Sequence, residues 1–543
     1  MNGKQMVQPI FILPEGTNKN TGRQAQKQNI AAAKAVGEAI RTTLGPKGMD
    51  KMIVDSMGDI IVTNDGVTIL DNMNIEHPAG KMLVAISKTQ DAEIGDGTTT
   101  AAVLAGELLK EAEILLDQHV HPTIIAQGYR LAQVETIKKL DKIANDISIG
   151  DEEIMKNIAQ TAMTGKNVEA SKKLLSKIAM DAIECVYDPE TKSIDLDSIK
   201  IEKKEGESTD NSYLIKGIVI DKERVHPRMP EVVNDAKIAL INTPLEIKSP
   251  ETDAQIRITD PSQLQDFLDQ EENTLKKMVE EIADAGATTI FCQKGIDDIA
   301  QHYLAKKGIL AIRRIKKSDI ESLAKATGGI IVNTLSDLTS SELGYAKKIE
   351  EKKISNESMI FVEGCKEPKA VTILIRGGTE HVVAEIVRAM EDAIGGISAA
   401  VEDGKYVYGG GAAEEAVSGH LRKYAQKIGG RQQLAINAFA NALEIIPKTL
   451  AENAGADPMD IIVALRAEHE KEKSSMGVDV FANKLRDMKE TGVIEPMKIK
   501  TQAIVSASEV AQLILRIDDV IVAGKAESQT APPPQGMPPG MMG

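Results

Sequence analysis

The 543-residue chain contains no tryptophan, and its six phenylalanines and eight tyrosines leave aromatic residues at 3%. A core must therefore be filled by Ile, Val, Leu, Ala and Met, and an aromatic platform for stacking nucleic-acid bases is not expected. Cysteine is scarce too. Cys185, Cys292 and Cys365 are far apart and odd in number, which argues against a disulfide framework or a thiolate metal site and fits a reducing interior. No apolar run approaches the ~20 residues of a membrane-spanning helix, and Met1 to Pro14 lacks the charged-then-apolar order of a secretion signal. A cytoplasmic location is expected. Positive charge is in deficit: 65 Lys and Arg against 81 Asp and Glu give a formal charge of −16. Nucleic acid and anionic membranes recruit clustered cations, so neither is expected as a partner. The eight histidines are dispersed. Their one close pair, His119 and His121, runs into Pro122 without a third ligand and reads as a loop rather than a zinc site.

What the chain does have is length, with 42% hydrophobic and 27% charged residues, enough for about three or four domains. Its most informative stretch is Gly95-Asp96-Gly97-Thr98-Thr99-Thr100, which runs directly into the helix-forming Ala101 to Leu109. Glycines and hydroxyls at a helix start bring unpartnered backbone N–H groups and the positive end of the helix dipole close to a ligand. Asp96 would suit a phosphate that carries Mg2+, since that ion takes one or two protein carboxylates plus phosphate oxygens. The same hexapeptide also reads as a glycine turn capped by threonines.

Along the chain, Ile30, Ala33, Val36, Gly37 and Ile40 recur at helical steps until the breaker Leu44-Gly45-Pro46-Lys47-Gly48, a second phosphate-loop candidate or a plain helix stop. Residues 1 to about 20 have no periodicity and are expected to fray. Met52 to Val54 and Asp59 to Thr63 read as two strands, the second ending in the turn signal Asn64-Asp65-Gly66. Asp65 is either a turn aspartate or a carboxylate placed to orient water. Lys166 lies in the loop Thr164-Gly165-Lys166 between helical segments, where a lysine is either solvated or a point-charge phosphate contact. From Tyr213 the pattern turns to strands, and Thr288 to Val332 alternates strand and helix, which predicts a βαβ unit in a largely parallel sheet. Pro250 to Glu281 interrupts it with charged, helix-periodic sequence, either an inserted helix that projects from the domain or an ordinary surface insertion. After Pro368 come a strand, Val371 to Ile375, and a helix opened by Thr379, on which Asp392 falls off the apolar stripe like a solvated charge. Gly409-Gly410-Gly411 follows the strand-like Tyr406 to Tyr408; helices are expected from Gln432 to Arg466 and Glu509 to Leu515, then a flexible Pro-, Gly- and Met-rich tail.

Neither Gly-x-x-x-x-Gly-Lys-Ser/Thr nor a complete Gly-x-Gly-x-x-Gly is present. Instead Leu44 to Met52, Val62 to Leu70, Gly95 to Thr100 and Gly409 to Gly411 resemble, in order, the nucleotide loops of chaperonin subunits of the group II, archaeal thermosome type. The likeness extends from about Gly22 to Ile521. It implies a multidomain α/β and α+β protein: a mostly helical equatorial domain from residues 1–145 and 406–523, a small α/β intermediate domain from 146–215 and 368–405, an α/β apical domain from 216–367, and a tail over 524–543. The insertion near 250–281 resembles the helical protrusion that serves group II members as a built-in lid. By the same resemblance Asp96 is the magnesium ligand, while Leu44, Gly45, Gly97, Thr98, Thr99 and Thr100 cradle phosphate. Gly410, Gly411 and Glu495 match positions around adenosine, Asp65 and Asp392 the catalytic carboxylates that activate water, and Lys166 the sensor of the terminal phosphate. Ala412 departs from relatives that carry a small hydroxyl there, and the tail departs from their Gly-Met repeats. The implied function is ATP-dependent chaperoning: a chaperonin ATPase with ATP and Mg2+ as cofactors, assembled as a homo- or hetero-oligomeric double ring of eight subunits per ring around unfolded or partly folded client proteins. A small-molecule kinase or ligase and an ATP-independent holdase are the alternatives.

Overall fold

Ala25, Ile30, Ala33, Val36, Gly37 and Ile40 are buried along one stripe of the helix Gly22–Arg41, which packs against the helix Thr98–Asp117. The absence of large aromatics is felt here directly. A β-carbon on Gly37 would lie 3.3 Å from Ala102 O and 3.4 Å from Gly106 Cα, so only small residues allow these two backbones to cross so closely. The computed structural model describes residues 18–54, 58, 60–166, 168–247, 261–355, 357–366 and 368–522.

Three separate sets of buried apolar side chains organise the chain. The first is contributed by residues between Ile30 and Leu140 and again between Val407 and Leu515, all but a few on helices. Tyr129 and Phe439 meet edge to face there, with centroids 5.5 Å apart, and the Tyr129 hydroxyl donates to Leu108 O at 2.7 Å. The second lies between Ile218 and Ala370. A third joins Ile147 to Ile199 with Val371 to Ala400 and also takes in Ile494. The chain therefore leaves the first core, crosses the third, builds the second, and returns by the same route.

Around the second core runs a seven-stranded sheet. Its spine is Leu310–Ile312, Thr289–Cys292, Val232–Ile241, Gly344–Ile354, Glu357–Glu363 and Gly217–Ile220, with Ile331–Val332 beside Val232–Ile241. The alternation from Thr289 to Val332 is parallel as expected, but Gly344–Ile354 and Glu357–Glu363 add antiparallel neighbours. The sheet is mixed, not largely parallel, because the hairpin joining those two strands supplies its other half. The inserted helix spans Pro261–Asp284, so it continues past Glu281; the expectation for 250–260, like those for 1–17 and for the tail 524–543, lies outside the described residues.

Other differences from expectation are local. Asn18–Thr21 does not fray: it pairs antiparallel with Asp519–Val522, and the polar sequence Asn-Lys-Asn-Thr gives no hint of a partner some five hundred residues away. Asn64-Asp65-Gly66 is a helix start rather than a hairpin turn, because Asp65 caps Gly66–Asn72. The closing helices are Ala412–Ile428, Gly430–Leu443, Ile445–Ala454, Pro458–Glu470 and Met497–Leu515, more extensive than the two expected stretches. Their alanine- and glycine-rich faces weaken the apolar periodicity on which the narrower boundaries rested.

Candidate functional site

The helix Pro78–Ile94 ends at Gly95, whose φ of 79° is the left-handed conformation a helix stop favours. Asp96 follows, its Oδ1 accepting from the Gly97 N–H at 2.6 Å, and Gln90 Nε2 donates to Asp96 O at 2.9 Å. Gly97, at φ 81°, is the residue from which the helix Thr98–Asp117 departs. A β-carbon on it would sit 2.8 Å from Ile499 Cγ2, so the backbone there is pressed against the return chain and only glycine fits. The result is a helix N-terminus with free amides pointing into a cavity of about 730 Å³.

Opposite this terminus stands Asp65. Its Oδ2 accepts from the Thr68 N–H at 2.9 Å and from Thr68 Oγ1 at 2.6 Å, while Thr98 Oγ1 reaches Oδ1 at 3.4 Å. A carboxylate held by its own helix start has one oxygen turned toward the cavity and little rotamer freedom. Asp392 comes from the helix Glu380–Asp403 of the third core and forms an ion pair with Lys166. Both side chains are only 16% exposed, so Asp392 is not the solvated charge its helix position suggests. Burial pushes the Lys166 ammonium below its ordinary pKa, against the pull of Asp96 and Asp65. Its loop is braced: Asn64 Nδ2 donates to Gly165 O at 2.6 Å and Glu169 Oε1 accepts from the Gly165 N–H at 3.0 Å.

The thirteen residues to which the resemblance gives a nucleotide, metal or catalytic role all line this one cavity: Leu44, Gly45, Asp65, Asp96, Gly97, Thr98, Thr99, Thr100, Lys166, Asp392, Gly410, Gly411 and Glu495. Gly45, Gly410 and Gly411 have φ of 81°, 63° and 79°, and β-carbons there would strike Leu450, Met488 and Pro447. Glu495 lies on the strand Ile494–Pro496 and pairs with Lys500 Nζ at 2.5 Å, which also meets Glu414 Oε1 at 2.8 Å. Burial opposes the Lys500 charge, but the two carboxylates outweigh it and push its pKa up. Sequence reasoning missed Lys172, Asn157, Gln160, Phe481 and Lys500, which also line the cavity. None of the five stands in a glycine-rich or otherwise punctuated motif, so nothing local marked them.

A candidate magnesium site can be tested on the donor set. No group of three or more His, Cys, Asp or Glu suited to a metal occurs among the described residues, which rules against an all-protein cage there. Asp96, just before the first turn of the helix Thr98–Asp117, is instead what a metal brought in on a phosphate requires.

A helix N-terminus, a lysine and carboxylates from two cores, all lining one cavity of a multidomain protein, are the groups that a phosphorylated ligand would call for. The profile of the TCP-1/cpn60 chaperonin family matches residues 36–525, and the chain belongs to that family. It is 59% identical over 516 residues to a thermosome subunit of Methanopyrus kandleri, covering 95% of each chain. It is also 60% identical over 524 residues to a thermosome subunit beta of Methanothermobacter thermautotrophicus, and 57% identical over 520 residues to a thermosome subunit of Methanocaldococcus jannaschii, with 96% of both partners covered in each case. The chain is thus a group II chaperonin subunit of the thermosome type, a molecular chaperone of an oligomeric ring family whose members bind nucleotide.

Proposed function

We propose that the cavity binds ATP with Mg2+ and hydrolyses it, and that hydrolysis closes a built-in lid over non-native protein. The reading rests on one observation: Asp65 from the first core and Asp392 from the third face the same helix N-terminus. The amides of Thr98 to Thr100 take phosphate oxygens, with Gly97, Leu44 and Gly45 completing the cradle. Asp96 holds the magnesium ion, which when bound neutralises charge on the phosphates. Asp65 and Asp392 orient the attacking water, and the proton lost by that water passes to a carboxylate as its oxygen bonds the terminal phosphorus and ADP leaves. Gly410, Gly411 and Glu495 border the ribose and base. Lys166 is drawn to the terminal phosphate, and this frees Asp392 for the water.

In this reading the first core is the equatorial domain (1–145 and 406–523), the third the intermediate domain (146–215 and 368–405) and the second the apical domain (216–367). The helix Pro261–Asp284 belongs to the lid. Subunits assemble as a double ring, eight to a ring, in the cytoplasm. No helix among the described residues is long and apolar enough to cross a membrane. Calorimetry with MgATP tests the nucleotide reading: the wild-type particle binds, and Asp96→Ala loses magnesium-dependent affinity together with turnover. Unchanged magnesium-dependent binding in that variant would reject Asp96 as the metal's anchor.

A further inference from the structure

The mouth of the cavity has two rims that come from opposite ends of the chain. One is the loop Leu44 to Gly48 that follows the helix Gly22–Arg41; the other is the hairpin of Met476–Asp479 and Lys484–Asp487. The hairpin tip is firmly built. Asp479 Oδ1 accepts from the N–H groups of Phe481 at 2.9 Å and Ala482 at 3.0 Å, while Arg486 Nη1 donates to its Oδ2 at 3.1 Å. The Val478 N–H donates to Gly410 O at 2.8 Å and ties the hairpin to the glycine loop. Phe481 is thereby held out at the tip, 64% exposed, yet it lines the cavity together with Gly45 and Pro46. Lys47 Nζ lies 5.5 Å from the centroid of its ring and so bridges the two rims. An exposed phenylalanine in so aromatic-poor a chain buries little apolar surface, and core packing does not account for its place.

Resting on the reading of the cavity as a nucleotide site, we propose that Lys47 and Phe481 form a gate: their cation–π contact closes the mouth, and nucleotide enters and leaves only while it is broken. An exposed contact of this type favours the closed arrangement by roughly two- to fivefold. Surface side chains rearrange in picoseconds to nanoseconds, much faster than nucleotide exchanges, so entry and exit are slowed by the same open fraction. A gate that does not touch the ligand changes both rates and leaves the equilibrium constant alone. A base stacked on Phe481 would behave differently, because losing that contact speeds exit alone, by on the order of tenfold.

The test is stopped-flow association and dissociation of a fluorescent MgADP analogue on assembled particles of the wild type, Phe481→Leu, Lys47→Met and the double variant. Both rates should rise about two- to fivefold in each single variant, the double should gain nothing further, and the dissociation constant should stay put. Unchanged rates in the single variants overturn the gate, as does faster exit with unchanged entry. A wild-type particle that fails to bind the analogue overturns the nucleotide reading itself, a distinct result. The chain has no tryptophan, so Phe481→Trp adds a single emitter at the gate. Lys47→Met in that background should shift its emission without ligand; an unmoved spectrum counts against the contact.

Discussion

Lys166 has one ammonium group and two anions that claim it. It pairs with Asp392, and in the proposed cycle the terminal phosphate takes it over. Because a point-charge contact reports phosphate without making the nucleophile, Lys166→Ala should still hydrolyse ATP while its lid no longer distinguishes ATP from ADP. Protease protection of Pro261–Asp284 measures this, and a normal nucleotide dependence of protection would remove Lys166 from the sensing role. Residue by residue, the site was legible where backbone geometry forces a residue type. Gly95, Gly97, Gly410 and Gly411 all adopt left-handed φ, and their clustering with hydroxyls marked the loops. Asp392 was legible only through resemblance, since its helix position off the apolar stripe is shared by any solvated charge. Lys172 and Lys500 carried no signal, because a lysine's sequence context does not say which cavity its long stem enters.

The helix Ala412–Ile428 begins in the cavity wall and carries a buried charge cluster on its inner face. Glu444, fully buried, meets Arg422 Nη2 at 2.7 Å, Arg466 Nη2 at 2.6 Å and Lys448 Nζ at 3.3 Å. Glu415 stands beside it, 1% exposed, and burial together with the Glu444 charge pushes its carboxyl from 4.5 to about 7 despite those three cations. Between those values the folded chain holds a proton that the unfolded chain has released. Stability from this group therefore falls as pH rises through that window and levels off above it. Glu415→Gln should remove the slope and stabilise the particle at pH 8 by on the order of 2 kcal/mol, read from denaturation midpoints at pH 5 and pH 8. Identical midpoint shifts at both pH values would show that Glu415 ionises normally. At this scale the strand and helix order of the middle segment was readable because period and punctuation are local properties. The antiparallel half of the sheet and the pairing of Asn18–Thr21 with Asp519–Val522 were not, since pairing is decided by distant partners.

At the scale of the whole molecule, the out-and-back path of the chain is what makes the site divisible. Asp65 and the Gly95 to Thr100 loop sit with the first core and Asp392 with the third, so in the proposed cycle a shift of one core relative to the other would make or break the pair of carboxylates. In the proposed function such a site would couple chemistry to domain position, and it would separate binding, carried mainly by the first core's loops, from hydrolysis, for which Asp392 of the third core is also required. The most direct test compares steady-state phosphate release with ATP affinity on assembled Asp392→Ala particles. ATP affinity and assembly should be retained while hydrolysis falls on the order of a hundredfold or more, the usual cost of losing a positioned general base. Hydrolysis near the wild-type rate would return Asp392 to a surface charge and contradict a site completed across the two cores.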